Sequence, residues 1–228
     1  MSKKILIIGI STSSHMNETL SASLMGYFTA HKTGEVTLIG SSTPTGLQPN
    51  YFNLATFPWE RLSEYDVLVT LGPIRDPTLQ AVNLDELMTA HVHAITEFVR
   101  NGKGCVAIHL ASVQFNEDFT KMLGGHFLTH PPILEFTIQV DDTHHPITKD
   151  IHSFTVVDEL YITDYDTRSI KILLSATYEG KRHPMTWIKT YGEGKVVYIA
   201  PGHDFRTFLN PNFLQLVEQS VHWASHNG

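Results

Sequence analysis

A buried strand that turns sharply into a helix is the feature of this sequence that most constrains its fold. Residues 105–108 form a short apolar run with β-branched members, preceded by Gly102 and Gly104. Small residues follow at once, and an amphipathic segment begins at Phe115. A side chain at such an elbow projects above the carboxyl edge of a parallel sheet, where α/β proteins keep their ligands. The residue at the elbow is His109, so we predict that it belongs to a functional site.

The first half of the chain alternates predicted strands and helices. Apolar runs predict strands over 4–10, 36–39, 66–71 and 105–108, and helical periodicity predicts helices from 17 to near 34, over 82–100 and over 115–123. A loop rich in proline, asparagine and glycine is predicted over 44–58. This alternation is typical of a doubly wound, mainly parallel sheet, so we assign the chain to the α/β class.

The second half is richer in predicted strands. Residues 134–140 alternate apolar and polar side chains, as a half-exposed antiparallel strand does. Further elements are predicted as strands over 154–161, 170–177, 185–191 and 195–200, the last two flanking a Gly-Glu-Gly hairpin signal, and as a helix over 212–224. No internal repeat or interdomain linker is present in the sequence, so we expect one domain over residues 1–228.

Composition excludes several classes of protein. Of the 228 residues, 42% are hydrophobic and 17% are charged, so the chain can bury a full core and should not be disordered. The net charge is −7 and lysine and arginine form no cluster, which argues against nucleic-acid binding. No apolar run approaches the length that crosses a bilayer, so we expect no membrane contact.

The single cysteine indicates a compartment. Cys105 alone cannot form an internal disulfide, and this fits the reducing cytoplasm. Its position inside a predicted buried strand favours a role in the core over a role as nucleophile. We therefore expect a cytoplasmic protein in which this thiol does no chemistry.

Histidines and carboxylates that follow predicted strands are the candidate site residues. His203 and Asp204 follow the strand 195–200 through a Pro-Gly turn, and they should share a sheet edge with His109. His130 precedes a proline, which forces extended backbone and can aim its ring across that edge. Imidazole suits both acid–base catalysis and metal binding. Asp204 could either orient a histidine or cap the turn that follows it.

Six short motifs occur in order from residue 107 onward. They are Ala-Ile-His-Leu-Ala-Ser at 107–112, Leu-Gly-Gly-His-Phe-Leu-Thr-His-Pro at 123–131, His-Pro-Ile-Thr at 145–148, Asp-Glu-Leu-Tyr at 158–161, Pro-Met-Thr-Trp at 184–187, and Tyr-Gly-Glu-Gly-Lys-Val-Val-Tyr at 191–198, which runs into Gly-His-Asp at 202–204. In this order they resemble the ThuA-like (trehalose-utilisation) family. The resemblance implies a flavodoxin-like fold of the class I glutamine amidotransferase type. It also adds Glu159 to the candidate site, because the family motif retains it.

The resemblance implies an enzyme of carbohydrate catabolism that acts on a sugar or keto-sugar derivative. Proton transfer next to a sugar carbonyl is the expected reaction, with His109, His130, Glu159, His203 and Asp204 as the polar site. Glutaminase activity is excluded, because that chemistry needs a thiolate nucleophile and the elbow carries a histidine.

Two other functions remain open from the sequence. A metal-dependent hydrolase would use the same residues to hold a divalent ion such as zinc, with His109, His130 and His203 as candidate ligands. A non-catalytic sugar-binding or regulatory module would bind without turnover. In each case the partner is a small sugar or sugar derivative, and a homo-oligomer is compatible with the sequence.

Overall fold

Strands from both halves of the chain join in one large sheet. The computed structural model describes residues 2–10, 17–40, 50–54, 56–72, 84–114 and 116–225. The strands are β1 (Lys4–Gly9), β2 (Glu35–Gly40), β3 (Tyr51–Asn53), β4 (Val67–Thr70), β5 (Gly104–Ile108), β6 (Gly125–Thr129), β7 (Leu134–Val140), β8 (Phe154–Asp158), β9 (Ile162–Tyr165), β10 (Lys171–Tyr178), β11 (Lys181–Tyr191) and β12 (Gly194–Ile199). The helices are α1 (Asn17–Ala30), α2 (Leu84–Arg100), α3 (Glu117–Leu123) and α4 (Pro211–Ala224).

The large sheet has a parallel part and an antiparallel part. Its ten strands run in the order β3-β2-β1-β4-β5-β12-β11-β10-β7-β8. Pairing is parallel from β3 to β12 and antiparallel from β12 to β8. A separate ribbon pairs β6 with β9. The predicted α/β sheet, with a strand-rich second half, is confirmed.

Burial explains why the central strands could be predicted from the sequence. Every residue of β4 and β5 is buried, and in β1 only Lys4 is not. Strands covered on both faces consist of continuous apolar runs. Helix α1 contacts β1 and β2, and α4 contacts β5 and β12, so helices cover the parallel part.

Some predicted boundaries were wrong. The predicted loop 44–58 contains β3, a short strand that pairs with β2 at the sheet edge. The predicted strand 154–161 ends at Asp158, and the first helix ends at Ala30 rather than near Gly34. Residue 115 and residues 82–83, which the predicted helices included, lie outside the described residues. Among the residues that are described, no helix is both long and apolar enough to span a membrane.

We predict opposite stability effects for alanine at two glycines. A Cβ on Gly194 would collide with the backbone carbonyl oxygens of Val99 and Lys103, which cannot move without the chain. Gly194→Ala should therefore lower the free energy of unfolding by about 2–3 kcal/mol. Gly26 lies inside α1 with nothing near its Cβ position, so Gly26→Ala should raise that free energy by about 0.5–1 kcal/mol. Urea unfolding of both variants measures the difference, and an unchanged midpoint for Gly194→Ala would contradict the packing described.

Candidate active site

His109 lies at the elbow that the sequence predicted. The backbone is extended at Ile108, where β5 ends, and His109 then adopts a left-handed conformation with φ of 48°. A short 3-10 helix covers His109–Val113. Left-handed backbone is uncommon for residues other than glycine, and it turns the side chain out of the line of the strand. The elbow is confirmed, although its first turn is 3-10 rather than α.

Side chains at the elbow leave room only for a glycine at position 202. Gly202 has φ of 142°, and a Cβ there would lie 2.7 Å from Ile108 Cγ2 and 3.2 Å from His109 Cβ. The Tyr198 hydroxyl supports the turn, because its one hydrogen is shared between the His109 carbonyl oxygen, at 3.2 Å, and Ser112 Oγ, at 2.8 Å. The elbow and the loop after β12 therefore touch, as expected for neighbouring parallel strands in register.

The His109 ring is held in one orientation. Its Nδ1 lies 2.9 Å from the Ala200 carbonyl oxygen, and its ring centroid lies 4.1 Å from that of Tyr161. A carbonyl oxygen only accepts, so Nδ1 carries the hydrogen and Nε2 faces the site. The His109 side chain is 1% exposed, so the ring has no freedom to turn toward solvent.

Glu159 is the centre of the site. Its Oε2 lies 3.3 Å from His109 Nε2, and its Oε1 lies 3.3 Å from His203 Nδ1 and 3.7 Å from His130 Nε2. Burial raises the pKa of Glu159, but the contact with His109 and the charges of all three histidines act against burial and leave the pKa lowered. The site is therefore an ionised carboxylate facing three imidazoles.

Each of these four residues follows the end of a strand. His109 follows β5, His130 follows β6, Glu159 follows β8 and His203 comes soon after β12. His130 is the most open of them, with 34% of its side chain exposed, and its Nδ1 lies 2.7 Å from the Pro131 carbonyl oxygen. The site is thus closed at His109 and open toward His130.

Asp158 ties two of these segments together, a role that sequence reasoning missed. Its fully buried carboxylate accepts hydrogen bonds from the backbone N–H groups of Glu159, at 2.8 Å, and of His203, at 3.1 Å. Three further donors reach its Oδ2, namely the N–H groups of Gly202 and Asp204 at 3.3 Å and the Thr207 hydroxyl at 2.5 Å. The loop that carries His203 is thereby fixed to the segment that carries Glu159. The only signal in the sequence was an aspartate ending an apolar strand.

The Asp204 carboxylate lies on Arg206 rather than on a histidine. Its oxygens are 2.8 Å from Arg206 Nε and 2.6 Å from the Nη2 atom, and one accepts the Arg206 N–H at 2.9 Å. The hydrogen bond from Arg206 lowers the pKa of Asp204. Asp204 thus fixes the turn before the 3-10 helix Thr207–Leu209 through Arg206, and no contact with a histidine is found for its carboxylate within hydrogen-bond distance among the described residues.

Cys105 is a core residue, as predicted. It lies inside β5 and is fully buried, and this burial raises the pKa of its thiol to about 12. A thiol with such a pKa is protonated at neutral pH, whereas nucleophilic attack requires the thiolate. Cysteine chemistry at the elbow is therefore absent.

The ThuA family model, described as trehalose utilisation, matches residues 21–224. The chain belongs to the ThuA family. The match includes Glu159 and the three histidines around it. It confirms the resemblance that the six motifs predicted. No relative is found among curated protein sequences.

Solved structures of other ThuA-like proteins have the same fold. A ThuA-like protein from Bacteroides uniformis is 19% identical with a TM-score of 0.72, and covers 97% of this chain and 91% of its own. One from Parabacteroides merdae is 17% identical with a TM-score of 0.72, over 98% of this chain and 90% of its own. A β-galactosidase from Bacillus circulans is 11% identical with a TM-score of 0.64, over 96% of this chain but 30% of its own. The fold thus also occurs as part of a larger glycosidase.

Replacing Asp158 should destabilise the protein. In Asp158→Asn an NH2 group replaces one carboxylate oxygen. At least two of the groups that now donate to that oxygen would then face another donor. We expect the free energy of unfolding to fall by about 2–4 kcal/mol. Thr207→Val removes one donor and should lower it by about 1 kcal/mol. Equal stability of Asp158→Asn and wild type in urea unfolding would show that the carboxylate does not hold the loop.

Cys105→Ala should keep its function. The change removes one buried sulfur and should lower the free energy of unfolding by about 1 kcal/mol. In the folded wild type the thiol should not react with a disulfide reagent such as dithionitrobenzoate until denaturant is added, because it is buried and protonated. Rapid labelling of the native protein would contradict this placement.

Proposed function

We propose that this ThuA-family protein is a cytoplasmic enzyme that transfers a proton on a sugar or keto-sugar derivative. The observation that carries the proposal is the ionised carboxylate of Glu159 facing His109, His203 and His130 at the ends of strands. Proton transfer next to a carbonyl needs groups that titrate near neutral pH, and imidazole is the side chain with that property. The compartment is supported by a structural neighbour from Salmonella typhimurium described as a cytoplasmic protein.

The open side of the site supplies the proton-transfer group in this proposal. His130 and His203 have 34% and 18% of their side chains exposed, so a substrate can reach their rings, whereas His109 is closed off. An imidazole would take a proton from the carbon next to the carbonyl, and the electron pair would move onto the carbonyl oxygen. Glu159 would hold the resulting imidazolium by its negative charge. Return of the proton to the same carbon completes an exchange. Its delivery to the former carbonyl carbon completes an isomerisation when the hydroxyl proton of the neighbouring carbon passes to the first oxygen.

Exposed apolar residues near the site histidines in the sequence favour a sugar. Leu128 and Ile133 lie on either side of His130 in the chain with 55% and 45% of their surface exposed, and Phe205 lies two positions after His203 with 61% exposed. Binding sites for small molecules combine apolar surface with a few fixed polar groups. A sugar ring presents C–H faces to such side chains and hydroxyl or carbonyl groups to the histidines. The family description, trehalose utilisation, supports the same substrate class.

Proton exchange provides the test of this proposal. Wild-type protein incubated in D2O with disaccharides and their keto derivatives should place deuterium on the carbon beside the carbonyl, as followed by NMR. Glu159→Gln keeps the shape of the side chain and should slow this exchange by about 100-fold or more, because it removes the negative charge that stabilises the imidazolium, and one preorganised electrostatic group contributes about 10²–10³-fold. His203→Ala should do the same.

The matched control is His152→Ala, which removes an exposed imidazole outside the site. It should exchange at the wild-type rate. If a sugar raises the melting temperature of the wild type while no deuterium is incorporated and no sugar is consumed, the protein is a binding module and the proposed enzyme is ruled out.

A further inference from the structure

The distances around Glu159 do not match ordinary hydrogen bonds between charged groups. A hydrogen bond between a protonated nitrogen and a carboxylate is typically about 2.7–2.9 Å long. The contacts of Glu159 with His109 and with His203 are both 3.3 Å. By contrast, ligand atoms bound to a tetrahedral zinc ion at about 2.0–2.1 Å lie about 3.3–3.4 Å from one another. Each of the two distances, one to Oε2 and one to Oε1, is therefore close to the separation of two ligand atoms on one such ion.

The orientation of His109 also favours a metal ion over a proton. Its Nδ1 carries the hydrogen because it faces the Ala200 carbonyl oxygen at 2.9 Å. In the neutral imidazole the Nε2 lone pair then faces the negative Glu159 Oε2. A metal cation between the two atoms would be attracted by both of them. A ring nitrogen bonded to a backbone carbonyl is also the arrangement that usually fixes a metal-binding histidine.

Three donors of suitable chemistry converge on one point. One ligand atom each from His109, Glu159 and His203 lies within 4.8 Å of the other two. Within the described part of the chain, no other set of three histidine, cysteine or carboxylate residues does so. Imidazole nitrogen together with carboxylate oxygen suits zinc and other divalent transition metals.

We infer that His109, Glu159 and His203 bind one divalent transition-metal ion, with His109 Nε2, a Glu159 oxygen and His203 Nδ1 as ligands. Three protein ligands leave a coordination position open, as in catalytic rather than structural zinc sites. His130 is the most exposed of the site residues, so a substrate would reach the ion from its side. One substrate oxygen fills that position, and expansion to five ligands admits a second, so the site suits the adjacent oxygens of a hydroxy-ketone or vicinal diol of a sugar.

This inference names the cofactor of the site proposed above, and only its catalytic meaning rests on that proposed function. A bound ion supplies a Lewis acid for the carbonyl oxygen. His130 stays outside the ligand set, since its Nε2 is 3.7 Å from Glu159 and its ring is free to act on a proton. The substrate oxygen and the proton-transfer group are thus separate parts of one site.

Zinc binding to the full untagged chain tests the inference directly. Protein stripped with a chelator and titrated with Zn²⁺ in a calorimeter should bind one equivalent, and the melting temperature should rise. Removing a residue that only hydrogen-bonds to a metal ligand weakens metal binding by about 10–100-fold. Glu159→Gln and His203→Ala remove ligands themselves, so each should weaken binding by about 100-fold or more. Co²⁺ should give visible absorption of a four- or five-coordinate ion in the wild type and not in these variants.

His152→Ala is the control for adventitious binding, because the chain has 14 histidines. It should bind Zn²⁺ as the wild type does. Equal affinity in wild type, Glu159→Gln and His203→Ala would overturn the inference, as would no bound equivalent at all. The two proposals fail separately. Failure of Zn²⁺ to bind, with deuterium exchange at the wild-type rate, overturns the metal site and keeps the enzyme, whereas a tight Zn²⁺ site without exchange on any sugar keeps the metal site and overturns the enzyme.

Discussion

The hydrogen bonds accepted by the buried carboxylate of Asp158 are the interaction on which the site depends. Removing a carboxylate from water costs several kcal/mol unless donors replace the water. Here the donors are backbone N–H groups of the loop 202–204 and of Glu159, together with the Thr207 hydroxyl. The cost of burial and the order of the loop are therefore coupled. If the loop moved away, the buried Asp158 carboxylate would lose its hydrogen-bond donors. The loop therefore stays in place, and His203 and Glu159 keep a fixed separation.

A second constraint acts on the other side of the site. The left-handed backbone of His109 is strained, and strain of this kind persists only when the surroundings hold it. Gly202 provides the space, and Tyr198 and Ala200 hold the backbone and the ring. The residues of the site thus need little reorganisation when a ligand arrives, which is the condition under which electrostatic groups act most strongly.

The sequence predicted the parts of the fold whose burial is complete and failed where pairing decides the structure. Strand β5 and the elbow were readable because a continuous apolar run followed by small residues has few other solutions. The ribbon of β6 and β9 was not, since Gly125–Thr129 has no clear alternation and is stabilised by its partner strand.

Some residues of the site could likewise be predicted from the sequence, and others could not. His109, His130, Glu159 and His203 were all recognised from the motifs and strand ends, and the structure brings them together. Asp158 was overlooked and Asp204 was preferred, although both are aspartates at the end of a strand or turn. Their difference is burial: Asp158 is fully buried, whereas Asp204 faces Arg206 in a more open position. Nothing in a linear pattern separates two such residues.

Strand β12 has a consequence for how the protein comes together. It pairs in parallel with β5 and antiparallel with β11, so it alone joins the two parts of the large sheet as described. The β11–β12 hairpin is local, but the contact of His109 with Ala200 spans 91 positions of the chain. The parallel strands β1 to β5 and the antiparallel strands from β12 onward can each form hydrogen bonds among themselves. Pairing of β5 with β12 then requires the closure of a long loop. His109 follows β5 and Glu159 follows a strand of the antiparallel part, so the site is complete only when β5 and β12 have paired.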